Sequence, residues 1–140
     1  MIEIQGKTRL MADPIRRILE EQQITTSAPC RVDMGGTLDI SSLFYPLAYL
    51  APCTFNLAVN LRTRVRLGPF RPGWVRVSSA GFEPAEYPMD EIPFVHPLGL
   101  MFAIAAYFRI DGIEVEIESA SPPKSALGGS SAAAVALVTA

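Results

Sequence analysis

Cysteine is nearly absent from this chain. Cys30 and Cys53 are the only two among 140 residues, and no Cys-x-x-Cys spacing occurs. That argues against a disulfide scaffold and a cysteine zinc site, and it makes a reducing, cytoplasmic setting the expectation. Histidine is scarcer still. His96 stands alone, directly before Pro97, where a role at a helix start or in a loop is expected rather than catalysis. Lysine is sparse, and the more numerous arginines are spread along the chain at a formal net charge of -2. Nothing in that balance suggests a general nucleic-acid or membrane surface. Trp74, Phe70 and Tyr87 are scattered and form no base-stacking platform. Met1 to Ala12 lacks the long apolar core of a signal peptide, and the apolar run Leu98 to Phe108 is too short to span a bilayer. There is no internal repeat and no low-complexity tail.

What remains is a composition with hydrophobic residues at 49%, enough for one folded domain with a real core. Asp13 to Gln23 is expected as a helix, with Asp13 as cap, Pro14 in the first position and Ile15, Ile18 and Leu19 on one face. Ile24 to Val32 reads as a strand. From Asn56 to Leu67 the chain alternates: Leu57, Val59, Leu61, Thr63, Val65 and Leu67 point one way, Asn60, Arg62, Arg64 and Arg66 the other. Val75 to Ser79 reads as a short strand. Gly81 to Pro93, broken by Pro84, Pro88 and Pro93, is expected to be irregular. Pro97 opens a helix, Leu98 to Phe108, apolar almost all round and so buried on several sides. Asp111-Gly112 makes a turn into a strand, Ile113 to Ser119. There Ile113, Val115 and Ile117 face inward, and Glu114, Glu116 and Glu118 form a solvated row rather than an acid-base pair.

The chemistry concentrates at the end. After Ser121-Pro122-Pro123 comes Lys124-Ser125-Ala126-Leu127-Gly128-Gly129-Ser130-Ser131, then an alanine-rich run that favours helix. Glycine lets a backbone approach an anion, and the first amides of a helix have no internal partners. With the positive end of the helix dipole they attract phosphate. The segment has neither the Gly-Lys-Ser/Thr ending of a Walker A loop nor the spacing of a dinucleotide fingerprint.

The same stretch resembles the second motif of the GHMP kinases, the family of galactokinase, homoserine kinase, mevalonate kinase and phosphomevalonate kinase. That motif reads approximately Pro-x-x-Ser-Gly-Leu-Gly-Ser-Ser-Ala. Pro123, Ser125, Leu127, Gly128, Ser130, Ser131 and Ala132 fit it, and Gly129 stands where several sugar-kinase branches also carry glycine. Lys124 and Ala126 stand where glycine is common. Ala126 resists a positive φ angle, so a slightly reshaped loop is expected. Lys124 either adds charge near phosphate or points into water. A second segment resembles the family's first motif in its heptose- and fucose-kinase form, Ala-Pro-x-Arg-Ile-Asp-Phe-Ala-Gly-Gly-Thr-Thr-Asp. Ala28, Pro29, Arg31, Val32, Asp33, Gly35, Gly36 and Asp39 match it. Cys30 replaces a frequent glycine and reads as a packed small residue. The segment is one residue short between Met34 and Asp39.

The resemblance implies an α+β fold: a mixed sheet with helices on one side, similar to the ribosomal protein S5 domain. Residues 1–26 would be a helical extension and 27–140 a GHMP kinase N-terminal domain, incomplete at its C-terminal end because the helix from Ala132 is still in progress at Ala140. It implies ATP and Mg²⁺, with Lys124, Ser125, Ala126, Leu127, Gly128, Gly129, Ser130 and Ser131 at the nucleotide and Ser131 toward the metal. Arg31 is expected to support the transferring phosphate, its alternative being a structural ion pair with Asp33 or another acid. Asp33, Gly36 and Asp39 are expected at the acceptor, although Asp33 serves equally as a turn former for Met34-Gly35-Gly36. The catalytic carboxylate is expected to lie outside this sequence. The leading function is transfer of the ATP γ-phosphate to a sugar or sugar phosphate in the heptose, fucose or galactokinase-like branch, a small-molecule partner with no nucleic acid or membrane. Two other classes stay open. One is a catalytically altered relative, a pseudokinase or isoprenoid-pathway member. The other is a plain S5-like domain that binds RNA or protein, which the acidic balance argues against.

Overall fold

The structure, a computed structural model, describes residues 9–33, 44–53, 55–122 and 125–140. Its elements are α1 (Arg9–Glu21), β1 (Ile24–Asp33), β2 (Asn56–Pro69), β3 (Trp74–Ser79), β4 (Ala85–Pro88), α2 (Gly99–Phe108), β5 (Ile113–Ser119) and α3 (Gly129–Thr139). Alternation along the strands decides the layers. Ala28, Cys30, Thr63, Val65, Val75, Val77, Ile113, Val115 and Ile117 are buried on one sheet face. Against them pack Leu19 of α1, Met101, Phe102 and Ala105 of α2, and Ala132, Ala133, Ala136 and Leu137 of α3. Burying a side chain such as Phe102, wholly out of solvent here, contributes about 1.5–3 kcal/mol. The result is α+β, with the described helices on one side of a mixed sheet.

That sheet has five strands in the order β1-β2-β5-β3-β4. β1 and β2, β2 and β5, and β3 and β4 are antiparallel, while β3 and β5 are parallel. A parallel pair needs a crossover, and β4 with α2 supplies it. Helix α3 lies over β1 and β2. Its small side chains allow close approach, and the Thr26 hydroxyl donates to the Ala136 carbonyl at 2.6 Å.

Several elements depart from the sequence reading. Helix α1 begins at Arg9, a turn before the Asp13-Pro14 pair that looked like its start. Pro14 therefore lies inside the helix rather than in its first position. β1 begins at Ile24, where the strand was expected, and runs one residue further, to Asp33. Ala85–Pro88 is a strand, β4, in the region expected to be irregular. It sits at the sheet edge, a place where a strand tolerates proline. The register of β1 on β2 steps between Pro29, opposite Arg62, and Cys30, opposite Val59. At that bulge the ladder is broken, and Leu57 and Leu61, expected inward, are exposed.

The outer sheet face is charged. Arg66 lies 3.3 Å from Glu116 and 3.6 Å from Glu118, Arg64 lies 3.5 Å from Glu118, and Arg76 lies 3.4 Å from Glu114. The glutamate row of β5 is flanked by arginines of both neighbouring strands. It is an ion-paired face rather than a merely solvated one.

Candidate functional site

Residues 125–128 carry the chain from β5 into α3, and their backbone is set by two left-handed residues. Ala126 adopts φ 59° and Gly128 φ 72°. The expected resistance of Ala126 to positive φ is overridden, at a cost of about 1–2 kcal/mol. Ser125 N–H bonds the Pro122 carbonyl at 3.3 Å. Gly128 is the N-cap of α3, makes no side-chain cap, and accepts the Ala132 N–H at 2.9 Å. The amides of Gly129, Ser130 and Ser131 thus have no partner inside the helix.

Strand β1 meets this loop directly. The Arg31 N–H donates to the Leu127 carbonyl at 3.0 Å. A Cβ placed on Gly128 would lie 3.6 Å from Arg31 Cγ and 3.8 Å from its Nε. The exposed arginine therefore runs along the mouth of α3. Asp33 is two residues further along β1 and shares the strand face of Arg31.

In front of the loop lies a cleft of about 650 Å³, within the range of small-molecule sites. One wall is the loop and the first turn of α3, from Ser125 to Ser131. The opposite wall is the turn after β3, with Phe82, and the start of α2, with Pro97, Leu100 and Met101. The floor carries Thr63, Ser119 and Ser121. A second hollow, of about 270 Å³ and lined by Ile15, Ile104, Phe108 and Val138 among others, lies at the far ends of β5 and α3. Its lining is apolar, so it offers nothing to orient a charged ligand.

Of the residues singled out from sequence, Ser125, Ala126, Leu127, Gly128, Gly129, Ser130 and Ser131 line one cleft wall, and Arg31 borders it through Gly128. Lys124, Gly36 and Asp39 lie outside the described residues. Among the described residues no three His, Cys, Asp or Glu side chains converge as a metal site. His96 is at the start of α2, as expected: its Nδ1 accepts the Leu98 N–H at 3.0 Å, and its ring contacts Tyr87 and Phe102 edge-on. Cys30 is buried beside Thr63. Trp74 is stacked by the Arg71 guanidinium, 3.4 Å from its ring centre. The sequence reading missed Phe82 and the hydroxyls of Thr63, Ser119 and Ser121. The one available signal was Thr63, the lone polar member of the inward series of β2.

The family model for the GHMP kinases N terminal domain matches residues 97–140, from the start of α2 through the loop and α3. Among the curated proteins none matches the sequence. Solved structures share the fold. The mevalonate kinase of Methanococcus jannaschii superposes with a TM-score of 0.63 at 13% identity, over 84% of this chain and 38% of its own. The D-glycero-D-manno-heptose 1-phosphate kinase of Bacteriodes thetaiotaomicron gives 0.61 at 19% identity, over 84% and 40%. The Lactococcus lactis galactokinase complexed with galactose gives 0.63 at 13%, over 92% and 35%. The chain thus spans about two fifths of the length of the solved structures it matches. The motif-bearing loop thus lies inside the segment that matches the GHMP kinases N terminal domain, and the sheet and helices around it have the fold of these kinase structures.

Proposed function

We propose that this chain is the ATP-binding portion of a GHMP-type kinase that moves the γ-phosphate of ATP to a hydroxyl of a sugar or sugar phosphate. The observation that carries the reading is the junction of the two motif segments, where Arg31 of β1 is bonded to Leu127 and lies along Gly128. Unpartnered amides at the start of α3 would bind phosphate oxygens, and the left-handed Gly128 leaves room for them. Ser125 to Ser131 are assigned to the nucleotide, with Lys124 assigned from the motif alone.

In the transfer the acceptor oxygen attacks the γ-phosphorus. The bond from that phosphorus to the bridging oxygen breaks, and ADP leaves with the electron pair. The acceptor proton passes to a base, which is not assigned to a residue of this chain. Such a reaction depends on positioning and charge compensation. Arg31 supplies a permanent charge able to bond two phosphate oxygens. Mg²⁺ is held largely by phosphates and water with few protein ligands, and the exposed Ser131 hydroxyl in the first turn of α3 suits one such position. Asp33, Gly36 and Asp39 are assigned to the acceptor. Two things support the sugar branch: the heptose- and fucose-kinase form of the first motif, and the sugar kinases among the fold neighbours.

The test is calorimetric titration of the protein with Mg²⁺ and a non-hydrolysable ATP analogue. A ³¹P assay of Mg-ATP with hexoses, heptoses and their phosphates accompanies it. Saturable binding and a new phosphomonoester are expected. Binding without transfer to any acceptor would favour a catalytically altered relative, and absence of binding would remove the reading.

A further inference from the structure

Thr63 is wholly buried among apolar neighbours, where valine would fill the same space without a hydroxyl to satisfy. Its Oγ1 lies 3.7 Å from Cys30 Sγ and 3.0 Å from Ser119 Oγ. Ser119 Oγ lies 2.9 Å from Ser121 Oγ and also accepts the Ser121 N–H at 3.3 Å. Ser121, itself only 8% exposed, sits under the first residue of α3: a Cβ on Gly129 would come within 3.1 Å of its Oγ and 3.7 Å of Ser119 Oγ. The groups form one ladder through β1, β2, β5 and the segment after β5, ending beneath Gly129. It begins at the residue next to Arg31.

We infer that Thr63, Ser119 and Ser121 are positioning residues, a hydroxyl ladder buried at Thr63 and Ser121 and open to solvent at Ser119, that fixes the first turn of α3 relative to the Arg31 strand and so sets the geometry of the phosphate loop. Each hydroxyl carries one proton and can accept others. If the thiol donates to Thr63, Thr63 donates to Ser119 and Ser119 to Ser121. The last hydroxyl then keeps its proton for the cleft side. If the order reverses, the chain ends on the thiol, a weak donor that is left unpaired at little cost. In either sense the ladder holds Ser121 against Gly129, and no side chain larger than hydrogen fits at position 129 without moving it. Motif comparison does not point to these residues, since Thr63 lies outside both segments and Ser119 and Ser121 precede the second.

The inference rests on the proposed function for its nucleotide consequence but not for its structural one, and the experiment separates the two. In Thr63→Val the packing is kept and the ladder is cut. Amide exchange at Ala132, whose N–H is held by the Gly128 carbonyl, is expected to rise about fivefold, the loss of one modest hydrogen bond. The Kd for the Mg²⁺-bound ATP analogue is expected to rise by a similar factor while the acceptor KM changes less than about twofold. Thr63→Ser restores the hydroxyl and is expected to return both values close to wild type. Unchanged exchange in a folded Thr63→Val protein overturns the ladder, whatever the nucleotide result. Failure of Thr63→Ser to rescue also overturns it, because packing rather than the hydroxyl would then matter. If the wild-type protein binds no ATP analogue, the proposed function falls, and the exchange measurement still decides the ladder.

Discussion

Arg31 and Gly128, nearly a hundred residues apart in sequence, are close neighbours: a Cβ on the glycine would lie 3.6 Å from the arginine Cγ and 3.8 Å from its Nε. This proximity is locked by the backbone bond from Arg31 to Leu127. A mutation on either side therefore disturbs the other.

Gly128→Val is expected to be the most damaging change in the loop. Its φ of 72° disfavours any β-branched residue, and the added bulk would press on Arg31 and on the phosphate approach. ATP-analogue affinity should fall by at least about tenfold, near 1.4 kcal/mol. Titration calorimetry on a variant shown folded by circular dichroism checks this. Undiminished affinity would take the loop out of the site.

Ala126→Gly is expected to act in the opposite direction. Ala126 holds φ 59°, a conformation that glycine adopts freely. Relief of that strain is partly offset by the greater freedom of glycine in the unfolded chain. A net gain of about 0.5 kcal/mol is expected in urea unfolding, with nucleotide affinity held or improved. A loss of stability would contradict the reading of Ala126 as strained.

Arg31→Met keeps much of the side chain's length and removes its charge. If the arginine acts where negative charge redistributes in the transition state, kcat should fall about a hundredfold or more while the acceptor KM moves little. Steady-state kinetics of the enzyme containing this chain distinguishes that pattern from its converse, in which KM alone rises and the arginine is a binding group.

Gly99→Ala tests the cleft's opposite wall. A Cβ on Gly99 would collide with the backbone carbonyl of Phe94, an atom that cannot swing aside as a flexible side chain would. Overpacking of this kind costs about 1–3 kcal/mol, and chemical denaturation should show it. By contrast, Arg66→Gln, which removes the contacts to Glu116 and Glu118, should cost less than about 1 kcal/mol because these groups are well exposed. Its effect should shrink further in high salt.

Sequence alone made much of this fold legible, and the reasons are particular. β5 was readable because isoleucine, valine and glutamate alternate without interruption, and α2 because Pro97 marks its start and its apolar run is too long for a strand. β4 was not readable, since four residues that follow one proline and end on another carry no period and only an edge position makes them a strand. The start of α1 was misplaced because Asp13-Pro14 has the form of a cap, while the helix extends a turn further back. At the site, the glycine and serine pattern announced the loop. The bond from Arg31 to Leu127 could not be seen, because a backbone hydrogen bond leaves no mark on residue type. The ladder at Thr63 left a faint mark, one hydroxyl in an apolar series.

The place of β5 in the sheet bears on how the chain acquires its structure. The pairs β1-β2 and β3-β4 each join strands consecutive in the chain, but they do not touch until β5, made last of the strands, enters between β2 and β3. Closing the sheet must therefore wait for distant segments to meet, and such non-local pairing puts folding in the range of about milliseconds to seconds. On an emerging chain the inward faces of both pairs would stay uncovered until residues 113–139 were available, a span in which association with other chains competes with folding. The segment that carries the glycine-serine loop is thus the same one that completes the core, and a nascent chain cannot have the first without the second.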